Sequence, residues 1–174
     1  IEFASRYTDA TVVAITGSNG KTTTTMLTGY ILEQAGLKPG IAGNIGDSYA
    51  KMVATQDFET YVLEISSFQL DGVLDFTPHI AVITNVTPDH LDRYDYKFEN
   101  YIASKFRIAM NQKETDYLIY DADDLVIKDW LKNHPVKSKL LPFSLHQEFE
   151  NGAFIKDNNL VVKIDNNTFT MTTE

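Results

Sequence analysis

Gly17-Ser18-Asn19-Gly20-Lys21-Thr22 puts two glycines, a lysine and a hydroxyl into six positions. Glycines let backbone N–H groups turn toward an anion. A β-branched run, Thr11 to Thr16, leads in, and a helical pattern from Lys21 to Ala35 leads out. A helix start adds unpaired donors and the positive end of a macrodipole. That is the layout of a phosphate cradle over Gly17, Ser18, Asn19, Gly20, Lys21, Thr22 and Thr23. Lys21 would reach the outer phosphates as a mobile point charge, and the Thr22 hydroxyl would ligate Mg²⁺. The common loop G-x-x-x-x-G-K-[ST] requires glycine at position 15, where this chain has Ile15. The loop is therefore the shorter G-x-x-G-K-T. An ordinary strand-to-helix turn is the alternative, and the strand before and helix after weigh against it.

Other polar residues fall where such a cradle would use them. In an open α/β sheet, ligands sit beyond the carboxyl ends of the strands. Lys21 and Thr22, Asn44, Glu64 and Ser66, and Asp89 and His90 each follow or end an apolar run. Glu64 stands inside the apolar strand Thr60 to Ile65. A carboxylate there is costly unless it is paired or metal-bound. It is either a salt-bridged core acid or, with Thr22 nearby, a Mg²⁺ ligand. Each of the others also has an ordinary reading. His90 suits a loop or a cap, Asp89 caps a short turn at Leu91, and Asn44 suits a left-handed turn. Lys105 on its helix is by spacing alone a solvated lysine.

The elements that must position these groups alternate. Ile1 to Ala10 reads as a lead-in segment. Strands are expected at Leu37 to Ala42 (weakened by Pro39), Thr60 to Ile65, His79 to Thr84, Asp116 to Tyr120 and Lys139 to Phe143. Helices are expected at Ser48 to Thr55, Lys97 to Met110 and Asp123 to Lys132, and Gly36 stands where a C-cap glycine belongs. Strands alternating with helices predict a parallel sheet built from crossovers. After Ser144 come three short strands, Ala153 to Ile155, Leu160 to Ile164 and Thr168 to Met171. The turn signals Asp157-Asn158-Asn159 and Asp165-Asn166-Asn167 separate them. The fold class is α/β: a P-loop-type, mostly parallel sheet flanked by helices, with a small antiparallel β-meander at its C-terminal end.

Bulk properties narrow the function. The 174 residues suit one domain, and 43% hydrophobic content suits a real core. No run is long and apolar enough to span a membrane, and Ile1 to Arg6 has no signal-peptide pattern. With no cysteine there are no disulfides or thiolate metal sites, which fits a reducing cytoplasm. A net charge of −9 argues against nucleic-acid binding. Any anionic ligand must therefore be held by local cations and metal.

Four further stretches sharpen the picture. Gly17 to Thr25 resembles the ATP loop of the Mur ligase superfamily, which also includes folylpolyglutamate synthetases. Gly43-Asn44-Ile45-Gly46, Leu63-Glu64-Ile65-Ser66-Ser67-Phe68-Gln69-Leu70 and Asn85-Val86-Thr87-Pro88-Asp89-His90-Leu91-Asp92-Arg93 are similar to the branch that adds D-glutamate to UDP-MurNAc-L-alanine. Tyr101 to Ile108 is similar to that family's lysine helix. The resemblance covers residues 1–145 closely and the meander loosely. It implies ATP and Mg²⁺ as cofactors, Lys21 on the β/γ-phosphates, and Thr22 and Glu64 on the first Mg²⁺. It implies His90 at a second metal position, Asn44 and Ser66 along the muramoyl pocket, and Lys105 carrying a carbamate. Lys21, His90 and Lys105 would be catalytic, and His90 would also face the substrate.

The resemblance also implies that residues 1–174 are the central ATP-binding domain of three, without the N- and C-terminal domains, and that alone they bind nucleotide weakly and do not ligate. The full enzyme's partners would be UDP-MurNAc-L-alanine and D-glutamate, with no nucleic acid or membrane, and a monomer is the expectation. The rival readings are another Mur ligase, a folylpolyglutamate synthetase, or a P-loop switch.

Overall fold

The central strands are buried almost throughout, so the sheet is covered on both faces. In β1 (Thr11–Thr16), Val12 and Ala14 join the large core on one face, while Val13 and Ile15 join a small cluster on the other. The computed structural model describes residues 1–173. Its single sheet runs in the order β2-β3-β1-β4-β5-β6-β7-β8-β9. The further strands are β2 (Pro39–Gly43), β3 (Thr60–Glu64), β4 (Ile80–Ile83), β5 (Tyr117–Asp121), β6 (Lys139–Ser144), β7 (Gly152–Lys156), β8 (Asn159–Ile164) and β9 (Asn167–Thr172). Pairing is parallel from β2 to β7 and antiparallel from β7 to β9.

The helices are α1 (Glu2–Ser5), α2 (Lys21–Gln34), α3 (Tyr49–Thr55), α4 (Ser67–Asp71), α5 (Phe98–Phe106) and α6 (Leu125–Asn133). Residues of α1, α3, α4, α5 and α6 all enter the large core: Ala4, Met52, Leu70, Tyr101 and Ile127. The opposite cluster is Val13, Ile15, Val62 and Val82, with Leu32 of α2 packed on it. Over β4–β6 that second face shows half-buried Ile80, Ile119, Leu141 and Phe143. Met26, Leu27, Tyr30 and Ile31 of α2 are more than half exposed.

Several boundaries differ from the sequence reading, each for a local reason. The lead-in segment contains α1, because the Glu2 carboxylate accepts the N–H groups of Leu74, Asp75 and Phe76 and ties this turn to the domain. Pro39 does not end its strand: it is the first residue of β2, at the sheet's edge, where a missing N–H is tolerated. The helix begun at Phe98 tightens to a 3₁₀ turn over Arg107–Ala109. The unanticipated helix α4 begins with a capping box: Ser66 Oγ accepts from Gln69 N, and Gln69 Oε1 accepts from Ser66 N. The strand β7 adds to β6 in parallel before the meander turns back. Asp157-Asn158 and Asp165-Asn166 take positive φ at both positions, the geometry of two-residue hairpin turns.

Candidate active site

Strand order reverses around β1: the chain goes from β1 to β2 on one side and later adds β4 on the other. Such switch points open a crevice at the carboxyl ends of the strands. The glycine loop sits there. Gly17 has φ 151°, and a Cβ on it would lie 1.9 Å from Thr84 Oγ1. Only a residue without a side chain lets the loop cross the end of β4. Gly20, at φ 79°, is the N-cap of α2 and supplies no side-chain cap. The first-turn N–H groups of α2 are thus left for an external acceptor.

The segment after β4 grips the loop. Asn85 O accepts from Ser18 N at 2.9 Å, and Asn85 Oδ1 accepts from Asn19 N at 2.9 Å. Thr84 Oγ1 donates to Asn19 O at 2.7 Å, and Thr87 N donates to Ser18 Oγ at 2.9 Å. The Tyr101 hydroxyl of α5 lies 3.2 Å from Ser18 Oγ. Sequence reasoning placed Ser18 and Asn19 in the cradle but gave Thr84, Asn85, Thr87 and Tyr101 no role. Thr84, Asn85 and Thr87 could have been found as polar residues at the carboxyl end of a strand. Tyr101 carries no such signal.

Most of the sequence-predicted residues come together. Thr22 Oγ1 donates to Glu64 Oε2 at 2.7 Å, and Asn44 Nδ2 donates to Glu64 Oε1 at 2.9 Å. Glu64 is 2% exposed. No ion pair among the described residues includes it. A buried carboxylate held by two neutral donors leaves its charge uncompensated, which suits a cation at this point. Asn44 does not take the positive φ of a left-handed turn; Gly43 and Gly46 do take positive φ.

Lys21 Nζ folds back onto Gly17 O and Ser18 O, each at 3.0 Å. Lys105 Nζ, on a residue 2% exposed, donates to the same Gly17 O at 2.7 Å. It also lies 4.5 Å from the Tyr101 ring centroid. Burial, reinforced by the neighbouring Lys21 charge and opposed by Asp89, pushes the Lys105 ammonium down to about 7. This lysine is not a solvated one.

Two further predicted residues, His90 and Ser66, make no side-chain hydrogen bond to Thr22, Asn44 or Glu64. His90 takes φ 48° at the start of a 3₁₀ turn, Leu91–Tyr94, ahead of α5. Its ring lies edge-on to Phe68 at 5.2 Å, and Nε2 is 3.6 Å from Asp89 Oδ2. The Asp89 carboxylate accepts from His90 N and does not cap that turn. The Ser66 hydroxyl is engaged in the capping box of α4.

A strand–glycine loop–helix at the switch point of a parallel sheet, with an acid at the end of the neighbouring strand, defines a P-loop-type α/β domain. Residues 15–173 match the Mur ligase middle domain, and the chain belongs to the Mur ligase family. It is 61% identical over 173 residues to the UDP-N-acetylmuramoylalanine–D-glutamate ligase of Christiangramia forsetii, a match covering 99% of this chain and 39% of that protein. It is 51% identical over 176 residues to the ligase of the same name from Porphyromonas gingivalis, covering 100% and 39%. The chain thus spans about two fifths of the length of these relatives. Two solved structures share the fold. One is a UDP-N-acetylmuramoyl-L-alanyl-D-glutamate–2,6-diaminopimelate ligase at TM-score 0.72 and 24% identity, covering 94% of this chain and 39% of that one. The other is the MurF ligase from Thermotoga maritima in complex with ADP, at TM-score 0.65 and 22% identity, covering 97% and 42%.

Proposed function

We propose that this chain is the ATP- and Mg²⁺-binding part of a cytoplasmic ligase that joins D-glutamate to UDP-MurNAc-L-alanine. The curated relatives at 51–61% identity carry that name, and a structural neighbour of the same fold was solved with ADP. The observation that carries the reading is the buried Glu64 carboxylate, hydrogen-bonded by Thr22 and Asn44 and lacking a counter-charge, beside the open start of α2.

ATP would phosphorylate the L-alanine carboxylate, and the D-glutamate amine would displace phosphate from the acyl phosphate to form the amide. Thr22 and Glu64 would hold Mg²⁺, which neutralises charge on the transferring phosphoryl group. Lys21 would leave Gly17 O and Ser18 O for the outer phosphates, and the loop amides would orient them. Lys105, kept partly neutral at physiological pH, is suited to react with CO₂. The amine forms an N–C bond and loses a proton, giving an anionic carbamate in place of a cation that would repel metal. His90 would serve the second metal position and, with Asn44 and Ser66, the muramoyl side.

The test is phosphate release with ATP, UDP-MurNAc-L-alanine and D-glutamate. The longer ligase containing this chain turns over, and Glu64→Gln lowers its rate by two orders of magnitude or more, the scale of losing one electrostatic catalytic group. The chain of 174 residues alone binds ADP weakly and does not turn over. Full activity of Glu64→Gln, or turnover with a folate in place of the muramoyl substrate, overturns the reading.

A further inference from the structure

We infer that Asp124 is a positioning residue whose carboxylate fixes the clasp that holds the glycine loop. Asp124 is the N-cap of α6, and its Oδ1 accepts from Val126 N at 2.8 Å and Ile127 N at 3.2 Å. That completes an ordinary cap. The second oxygen does something a cap does not need: Oδ2 accepts from Val86 N at 2.8 Å, 38 residues away.

Val86 is 1% exposed, so its N–H has no water to turn to, and an unpaired buried amide is costly. It is also the midpoint of the clasp. Asn85 on one side takes the amides of Ser18 and Asn19, and Thr87 on the other donates to Ser18 Oγ. Both neighbours address the loop, so the restraint on Val86 sets where Asn85 and Thr87 stand. The start of α6 is thereby coupled to the glycine loop through three consecutive residues and one carboxylate.

The residue type supports the assignment. Serine or asparagine would cap α6 about as well. A carboxylate has two oxygens that only accept. With asparagine, the oxygen that caps α6 leaves an NH₂ facing Val86 N–H, donor against donor. Serine caps but is too short to bridge.

The effect on ligand binding rests on the proposed nucleotide site; the coupling itself does not. The experiment compares the wild-type chain with Asp124→Asn and Asp124→Ser by residue-resolved amide hydrogen exchange, with thermal melts and ADP–Mg²⁺ titrations on the same samples. Exchange at Val86, Ser18 and Asn19 accelerates about tenfold or more, the scale of one lost hydrogen bond to a charged group. Val126 and Ile127 stay protected, and ADP affinity falls in both variants. Unchanged exchange at Ser18 and Asn19, loosening confined to α6, or unchanged ADP affinity overturns the inference. A wild-type chain that binds no ADP overturns the proposed function, and the exchange data then decide on Asp124 alone.

Discussion

The Gly17 carbonyl oxygen accepts from two ammonium groups, Lys21 at 3.0 Å and Lys105 at 2.7 Å. The buried one yields, and its pKa falls from 10.5 to about 7. The consequence for stability has a definite sign. Between about 7 and the ordinary 10.5 the unfolded chain binds more protons than the native one, so unfolding free energy rises with pH across that window. Below about 7 the full cost of the buried charge remains. Lys105→Met removes this rise, which denaturant titrations from pH 6 to 10 in CO₂-free buffer will show as a wild-type-minus-variant difference that climbs across that window. At Gly17, alanine meets Thr84 Oγ1 and an unfavourable φ together. Gly17→Ala therefore costs roughly 2 kcal/mol or more by backbone strain and overpacking, measured as a lower denaturation midpoint, and abolishes ADP binding. The loop was legible because glycine, lysine and hydroxyl chemistry is written in adjacent residues. The burial of Lys105 was not, since helical spacing says which face a side chain is on and nothing about what stands opposite.

Short elements escaped the sequence reading where local hydrogen bonds, not periodicity, create them. Ser66-x-x-Gln69 is a capping-box pattern in plain view, but it follows an apolar strand without a turn signal. Ser66→Ala lowers stability by about 1 kcal/mol, read from chemical denaturation, and Ser66→Asp retains most of it. The α1 turn depends on Glu2 in the same way. Burial pushes the Glu2 carboxyl up, but three backbone N–H groups and Arg6 together outweigh it and hold the group at about 2, from 4.5. The stabilisation is complete above about 4.5 and is lost as pH falls toward about 2. Glu2→Gln weakens the tie at neutral pH and flattens the acid limb of the stability profile. Longer elements were legible because continuous apolar runs and strand–helix alternation both report a sheet covered on two faces. Pro39 misled only in suggesting weakness where an edge strand tolerates it.

At the scale of the whole molecule, the parallel sheet and a site at the carboxyl ends of its strands followed from the alternation of elements, while the strand order that puts a switch point at β1 did not. The uneven covering of the two faces did not, since no run of residues says how many helices will share a side. The meander was legible from its paired Asp-Asn turns, but the parallel joint between β6 and β7 depends on a chain path that turn residues do not encode. That joint carries the sheet out to β9, whose six residues, Asn167-Thr168-Phe169-Thr170-Met171-Thr172, are all exposed and uncharged. It hydrogen-bonds to β8 and presents its other rim to solvent. A neutral rim of this kind is a template for a strand from another molecule. What opposes that pairing is the charge of −9 on every copy, a repulsion that ions weaken over a Debye length of about 10 Å at 0.1 M. The colloidal behaviour of this chain is therefore ionic-strength dependent. Light scattering grows as sodium chloride is raised from 20 mM to 0.5 M, and Thr170→Pro on the rim keeps the solution clear.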